Sequence, residues 1–319
     1  MNELDQIKIN FNPDELFTLN VILAIIMFGI ALDITTADFK RLLTQPKIVL
    51  VGILSQFVLM PALTFLIVII VKPAPSIALG LILIGACPGG NVSNYMSKLA
   101  KANPALSVSL TAFATLLSVF MTPFNFEFWG SMYAPTNQLL KTVHLDPFAL
   151  FKLVSMILGA PLIAGMLVRY YVPIWATKIS RILKPLSFLF FILLLGIAFH
   201  NNWDIFTKHV HHVLFLVIAH NILAYILGFQ TANLFKLKLH DKKTLAIETG
   251  IQNSGLGLLL IFGFFEGLGG MTLLAAFWGV WDIFSGLVLA WYWGRKSYVR
   301  NEEHTFKEGF NSIFNKYKK

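Results

Sequence analysis

Cys87-Pro88-Gly89-Gly90-Asn91-Val92-Ser93-Asn94 interrupts one apolar run, and Glu248-Thr249-Gly250-Ile251-Gln252-Asn253-Ser254-Gly255 interrupts another about 165 residues later. A membrane-spanning helix pairs its backbone groups within itself, so a break at that depth persists only where the freed groups line a cavity or hold a ligand. Pro88 removes a donor and Gly89-Gly90 loosens the backbone, so a new half-helix is expected to start at Asn91. That half-helix would bring unpaired N–H groups and the positive end of its dipole into the membrane, beside the side-chain oxygens of Asn91, Ser93 and Asn94. Paired breaks in corresponding positions of two halves point to a transport site.

The composition agrees with that depth. The 319 residues are 56% hydrophobic and 13% charged, with a mean hydropathy of +0.71, whereas soluble domains carry about 25% charged residues. The chain reads as an all-α integral membrane protein with the lipid bilayer as its surroundings. Nine apolar spans are expected, at 16–32, 47–71, 75–101 with the first break, 103–129, 147–171, 176–199, 211–235, 241–267 with the second break, and 270–294. Each is close to the ~20 residues needed to cross the hydrocarbon core, or longer. The first fifteen residues lack the basic, apolar, small-residue order of a cleavable signal, so the first span is expected to be retained. The single cysteine excludes an internal disulfide, and zinc-type Cys/His spacing is absent.

The net charge of +9 is a matter of topology. Alternating loops place twenty of the 25 Lys and Arg residues on one side, against Lys8, Lys72, Lys141, Lys152 and Lys208 on the other. The positive-inside rule then puts the C-terminus and its basic tail, 298–319, in the cytoplasm and the N-terminus outside, in a multi-pass plasma (inner) membrane protein. Nucleic acid needs no place in this account, and no obligate protein partner is evident.

Phe28-Gly29-Ile30-Ala31-Leu32 recurs as Leu195-Gly196-Ile197-Ala198-Phe199, and Asp38-Phe39 recurs as Asp204-Ile205 at nearly the same offset, which also carries the first break onto the second. The shared spacing indicates an internal repeat. With four spans in the first half and five in the second, corresponding helices point in opposite directions, giving an inverted-topology repeat with an odd helix, Asp146 to Tyr171.

Glu248 is the decisive side chain. A carboxylate in mid-membrane costs at least ~2.5 kcal/mol and usually marks an ion pathway or relay. No Lys or Arg is expected at comparable depth, so a bound cation or a proton must balance it. Amides, hydroxyls and carbonyls suit a hard cation that is released each cycle, and sodium fits them better than calcium.

These two motifs resemble those of the bile acid:sodium symporter family, which carries Cys-Pro-Gly-Gly followed by Ser-Asn, and Glu-x-Gly-x-Gln-Asn-Ser-Gly, on two crossing discontinuous helices. Both stand unbroken here, and the chain resembles the family's nine-helix form. The resemblance implies two sodium ions, with one site from Ser93, Asn94, Ser107, Thr111 and Glu248. Ser107 and Thr111 are four residues apart on one helical face. A second site would use Gln56, Glu248, Thr249, Ile251 and Gln252; without the resemblance, Gln56 could equally be interhelical glue. It further implies a core at about 47–130 and 209–297 moving against a panel at about 16–33 and 147–200. An organic anion, bile acid-like or a small carboxylate, would bind between them, with Asn91 and Asn253 at the half-helix N-termini as contacts.

Asp282, the other deep acid, is a departure from the family, some members of which have a histidine or other polar residue near here. It is open to three readings, as substrate-cavity lining, structural pairing or a proton-linked group. His209, His211 and His212 read as a solvated interfacial cluster, His220 and Asn221 as interhelical hydrogen-bonding residues, and Cys87 as a small buried residue before a proline. The expected function is sodium-coupled import of an organic anion by alternating access. The alternatives are proton coupling through Glu248 and Asp282, and a membrane-embedded lipid-modifying enzyme, for which no nucleophile–base pair or metal constellation is found, so no enzymatic activity is expected.

Overall fold

The structure, a computed structural model, describes residues 5, 21, 24–37, 40, 44–142, 155–201 and 203–316. After a first helix, α1, at 24–31 come α2 (Pro46–Val71), α3 (Pro75–Ala86), α4 (Asn91–Leu99), α5 (Pro104–Met132) and α6 (Ala134–Thr142). Then follow α7 (Ala160–Tyr171), α8 (Pro173–Asn201), α9 (Trp203–Leu234), α10 (Leu239–Gly250), α11 (Ser254–Phe265) and α12 (Gly269–Lys316). No β-strand occurs among the described residues. Five segments there are long and apolar enough to cross a membrane: Pro46–Val71, Pro104–Met132, Val213–Leu234, Leu239–Phe265 with its break, and Gly269–Arg295. The beginnings of the spans expected at 16–32 and 147–171, and the Asp38-Phe39 half of the repeat, lie outside the described residues. The last helix runs past its expected end at 294 to Lys316, so most of the basic tail has helical backbone.

The apolar halves of the interrupted helices, α3 and α11, lie in the interior. Every residue of α3 from Ser76 to Ala86 is buried, and nearly all of α11 is as well. A helix apolar on all sides belongs inside, not at a boundary. Its neighbours show one apolar stripe to the outside, as with Phe120, Phe124 and Phe128 on α5, or Phe284, Val288 and Trp291 on α12. These exposed rows at helical spacing are the surface that lipid covers. The closest packing joins α9 to α10, where a Cβ on Gly228 would fall 2.6 Å from the Leu245 carbonyl oxygen. Small residues that let backbones approach are the usual means of packing helices in a bilayer.

Helix α2 contains a wider π turn at Ser55–Leu59, just before Pro61. Pro61 has no N–H to give the Phe57 carbonyl four residues back. That carbonyl is instead met by Asn125 Nδ2 at 3.1 Å from α5. Asn125→Leu should therefore cost about 1–3 kcal/mol by leaving a buried carbonyl unpaired. Adding Pro61→Ala, which restores the N–H, should recover part of the loss in a double-mutant cycle read by thermal unfolding.

Candidate functional site

The two breaks meet. Asn253 N–H donates to the Pro88 carbonyl at 2.9 Å, and a Cβ on Gly89 would stand 2.9 Å from the Glu248 carbonyl oxygen and 3.1 Å from that of Ile251. The carbonyls that the first break frees are taken up by other elements. Ala86 O accepts from Thr122 Oγ1 at 2.9 Å, Cys87 O from Gln56 Nε2 at 3.2 Å, and Gly90 O from Ser93 N at 3.1 Å. This is the condition for an unwound segment at membrane depth.

Helix α4 begins at Asn91, as expected, after an extended Gly90. The second break is narrower than its motif: Glu248, Thr249 and Gly250 remain helical in α10, and only Ile251-Gln252-Asn253 is unwound. The chain turns extended at Ile251, and Asn253 starts the next half-helix by accepting from Leu256 N–H through its side chain at 3.0 Å. Asparagine is among the preferred residues for this cap.

Glu248 is buried, and hydroxyls surround its carboxylate. Ser93 Oγ donates to Oε1 at 2.8 Å, Ser107 Oγ donates to the same oxygen, and Thr111 Oγ1 donates to Oε2 at 3.0 Å. Asn94 Oδ1 accepts from Ser107 at 2.9 Å and from Thr111 at 3.1 Å. Ser93, Asn94, Ser107, Thr111 and Glu248 are thus in one place, drawn from α4, α5 and α10. Among the described residues, the only hydrogen bonds to the carboxylate are from hydroxyls. Lys243, five residues earlier on α10, is buried too. Its ammonium donates to Ala100 O at 3.3 Å and lies 5.9 Å from the Trp293 ring, which ties it to the other end of the helix, away from Glu248.

On the far side of Glu248, Gln56 Nε2 donates to Gln252 Oε1 at 3.0 Å, and Gln252 Nε2 donates to Thr249 O at 2.6 Å. A cavity of ≈ 20 Å³ is lined by Gln56, Gly89, Glu248 and Thr249 together with apolar side chains of α2 and α5, about the space of one water molecule. Gln56, Thr249, Gln252 and the Ile251 carbonyl therefore also gather around Glu248. Ser55, not singled out from sequence, completes the brace through a 2.8 Å contact with Thr249 Oγ1.

Asp282 lies against the second break. Its Oδ2 accepts from Gln252 N and from Trp278 Nε1, both at 2.9 Å, and its Oδ1 from Asn221 Nδ2 at 3.1 Å. Asn221 also donates to Gly250 O at 2.9 Å, and His220 Nε2 meets Thr64 Oγ1 at 2.7 Å, so both bond across helices. Asn253 stands beside Gly90 with its oxygen committed to the helix cap. The side chains of Asn91 and His212 lie outside the described residues. Among the described residues, no group of three His, Cys, Asp or Glu side chains could hold a metal ion. Cys87 is buried and free.

A buried carboxylate ringed by neutral hydroxyl and amide oxygens thus stands where two discontinuous helices meet, in a chain with several spans apolar enough to cross a membrane. The Sodium Bile acid symporter family model matches residues 20–209, and the chain belongs to that family. It is 33% identical to the uncharacterized sodium-dependent transporter YocS of Bacillus subtilis (strain 168) over 293 residues, 90% of this chain and 88% of that protein. It is 28% identical over 294 residues to the probable chloroplastic sodium/metabolite cotransporter BASS2 of Oryza sativa subsp. japonica, covering 92% of this chain and 67% of that one. It is 29% identical over 244 residues to the human ileal sodium/bile acid cotransporter, covering 75% and 67%. The chain is thus a multi-pass membrane protein of a family of sodium-dependent transporters.

Proposed function

We propose that this protein is a secondary active symporter that uses an inward sodium gradient to import an organic anion by alternating access. The observation that carries the reading is Glu248, a buried carboxylate whose hydrogen bonds, among the described residues, come from neutral hydroxyls. A cation there would relieve the cost of the buried charge, and its departure would restore it. One sodium ion would sit among Ser93, Asn94, Ser107, Thr111 and Glu248. A second would lie toward Gln56, with Glu248, Gln252 and the carbonyls of Thr249 and Ile251.

In this reading nine spans form an inverted repeat, with a core at about 47–130 and 209–297 and a panel at about 16–33 and 147–200. The N-terminus is outside and the C-terminus in the cytoplasm. Sodium orders the unwound segments, and the anion then binds at the half-helix ends near Asn91 and Asn253 Nδ2. The names of the human and rice relatives favour a bile acid-like compound or another metabolite as cargo. Because the coupling is reciprocal, the anion must raise sodium affinity by the same factor that sodium raises its own.

The test is uptake of a bile salt or a small carboxylate into proteoliposomes, with sodium, choline or a pH gradient imposed. Sodium-driven uptake is the expected result; uptake that follows pH and ignores sodium would replace this reading with proton coupling. Ser107→Ala removes one of the oxygens assigned to the first sodium ion. The sodium concentration for half-maximal uptake should rise roughly tenfold or more.

A further inference from the structure

We propose that Asp282 is a positioning residue for sodium, a built-in hydrogen-bond acceptor that keeps the second break from closing into continuous helix. This deepens the proposed sodium coupling and rests on it. In an uninterrupted helix the N–H of each residue pairs with the carbonyl four residues earlier. Gln252 N–H would then close on Glu248 O, and Asn253 N–H on Thr249 O. Neither does so. Gln252 N–H goes to Asp282 Oδ2 at 2.9 Å, and Asn253 N–H goes to Pro88 O at 2.9 Å.

With both donors captured, the Glu248 carbonyl turns to the first break, where it stands 2.9 Å from the position of a Cβ on Gly89. The Thr249 carbonyl is met by the Gln252 side chain at 2.6 Å, a flexible donor that a cation can displace. The Thr249 carbonyl is one of the oxygens assigned above to the second sodium ion. Asp282 Oδ2 thus occupies the amide that the helical carbonyl would otherwise take.

The carboxylate is itself fixed. Trp278 Nε1 and Asn221 Nδ2 donate to it, and Trp281 Nε1 holds Asn221 through a 3.1 Å bond to Oδ1. Asn221 also donates to Gly250 O, so the same unit grips both sides of the bend at Ile251. All three contacts to Asp282 come from N–H donors, which an anion can satisfy together. Trp278 is fully buried and packs edge-on against the His220 ring at 4.8 Å, so the donor set is rigid.

The test is a sodium titration of the purified full chain, read by thermal unfolding at constant ionic strength in choline chloride. For Asp282→Gly the sodium concentration giving half of the stabilisation should rise at least about tenfold relative to the native protein. Choline formate, whose carboxylate fits the vacated donors, should move it back toward the native value, whereas additional choline chloride should not. Should the glycine variant fail to fold, Asp282→Asn serves, because it retains the volume and one acceptor but opposes an N–H to one of the donors. Its sodium requirement should also rise. A variant less stable overall but with a native sodium half-point would assign Asp282 to packing and overturn the inference. A native protein indifferent to sodium would overturn the coupling reading beneath it, and this inference with it, a distinct result from a native response that the variant shares.

Discussion

Glu248→Ala should abolish sodium-driven uptake while leaving a folded protein, and Glu248→Gln should do the same. The hydroxyls that now serve the carboxylate have other acceptors within reach. Ser93 Oγ already donates to Gly90 O at 2.7 Å, and Ser107 and Thr111 both reach Asn94 Oδ1. Their donors would therefore not be stranded, and a buried carboxylate that no cationic side chain meets among the described residues would be gone. Without sodium, the variant should unfold at or slightly above the native temperature, since neutralising an unpaired buried charge removes a desolvation cost. In sodium the native protein should gain stability and the variant should not, because only a state that binds the ion is stabilised by it. Retention of a sodium-dependent thermal shift in Glu248→Ala would show that the ion binds elsewhere.

Gly89→Ala should be nearly as damaging, for a different reason. Gly89 does not have a positive φ, so an alanine would meet no backbone strain from its own torsion. What is missing is space, since the new Cβ would lie 2.9 Å from Glu248 O, 3.1 Å from Ile251 O and 3.2 Å from Glu248 Oε2. Two of these are backbone atoms, which cannot swing aside. The breaks would have to part, lengthening the Asn253-to-Pro88 bond and opening the ring of oxygens around Glu248. Uptake should fall by at least about tenfold, the loss expected from a misplacement of an ångström in a positioned site. The neighbouring Gly90→Ala provides the control. Its Cβ would meet only the Asn253 side chain at 3.6 Å, an ordinary contact, so its transport should stay much closer to native. Equal losses in the two variants would argue that flexibility, not space, is what the glycine pair supplies.

The location of the site was legible because polar residues are conspicuous in an apolar helix. Pro88 and the glycines announced the first break and its restart at Asn91, and the four-residue spacing of Ser107 and Thr111 placed both hydroxyls on one face of α5. Their partners in the second break, Glu248 and Asn253, lie more than a hundred positions away, and pairings over such separations leave no local periodicity. That Gln56 faces Gln252 came from family resemblance, while the π turn that carries it is a response to Pro61 that only the packed helix displays. Three readings of Asp282 stayed open for the same reason. Its acceptor role depends on the amide of a residue 30 positions earlier in the chain, exposed by a break in another helix. Lys243 counts in the sequence only as one of the basic residues on the cytoplasmic side, yet the tertiary fold buries it against Trp293.

The bond from Asn253 to Pro88 also has a consequence for biogenesis. The ribosome delivers Pro88 to the membrane about 165 residues before the amide that completes it, and at ~5–20 residues per second this is an interval of roughly 10–30 s. Through that interval the first break holds an unpaired carbonyl and a proline in a segment that must already leave water. The early half must therefore be sheltered, by the insertion machinery or by keeping α3 and α4 near the interface, until the later half arrives. Arrest of synthesis between Leu234 and Leu239, which leaves out the second break, should yield a chain that is inserted incompletely and degraded quickly, a failure of assembly rather than of chemistry.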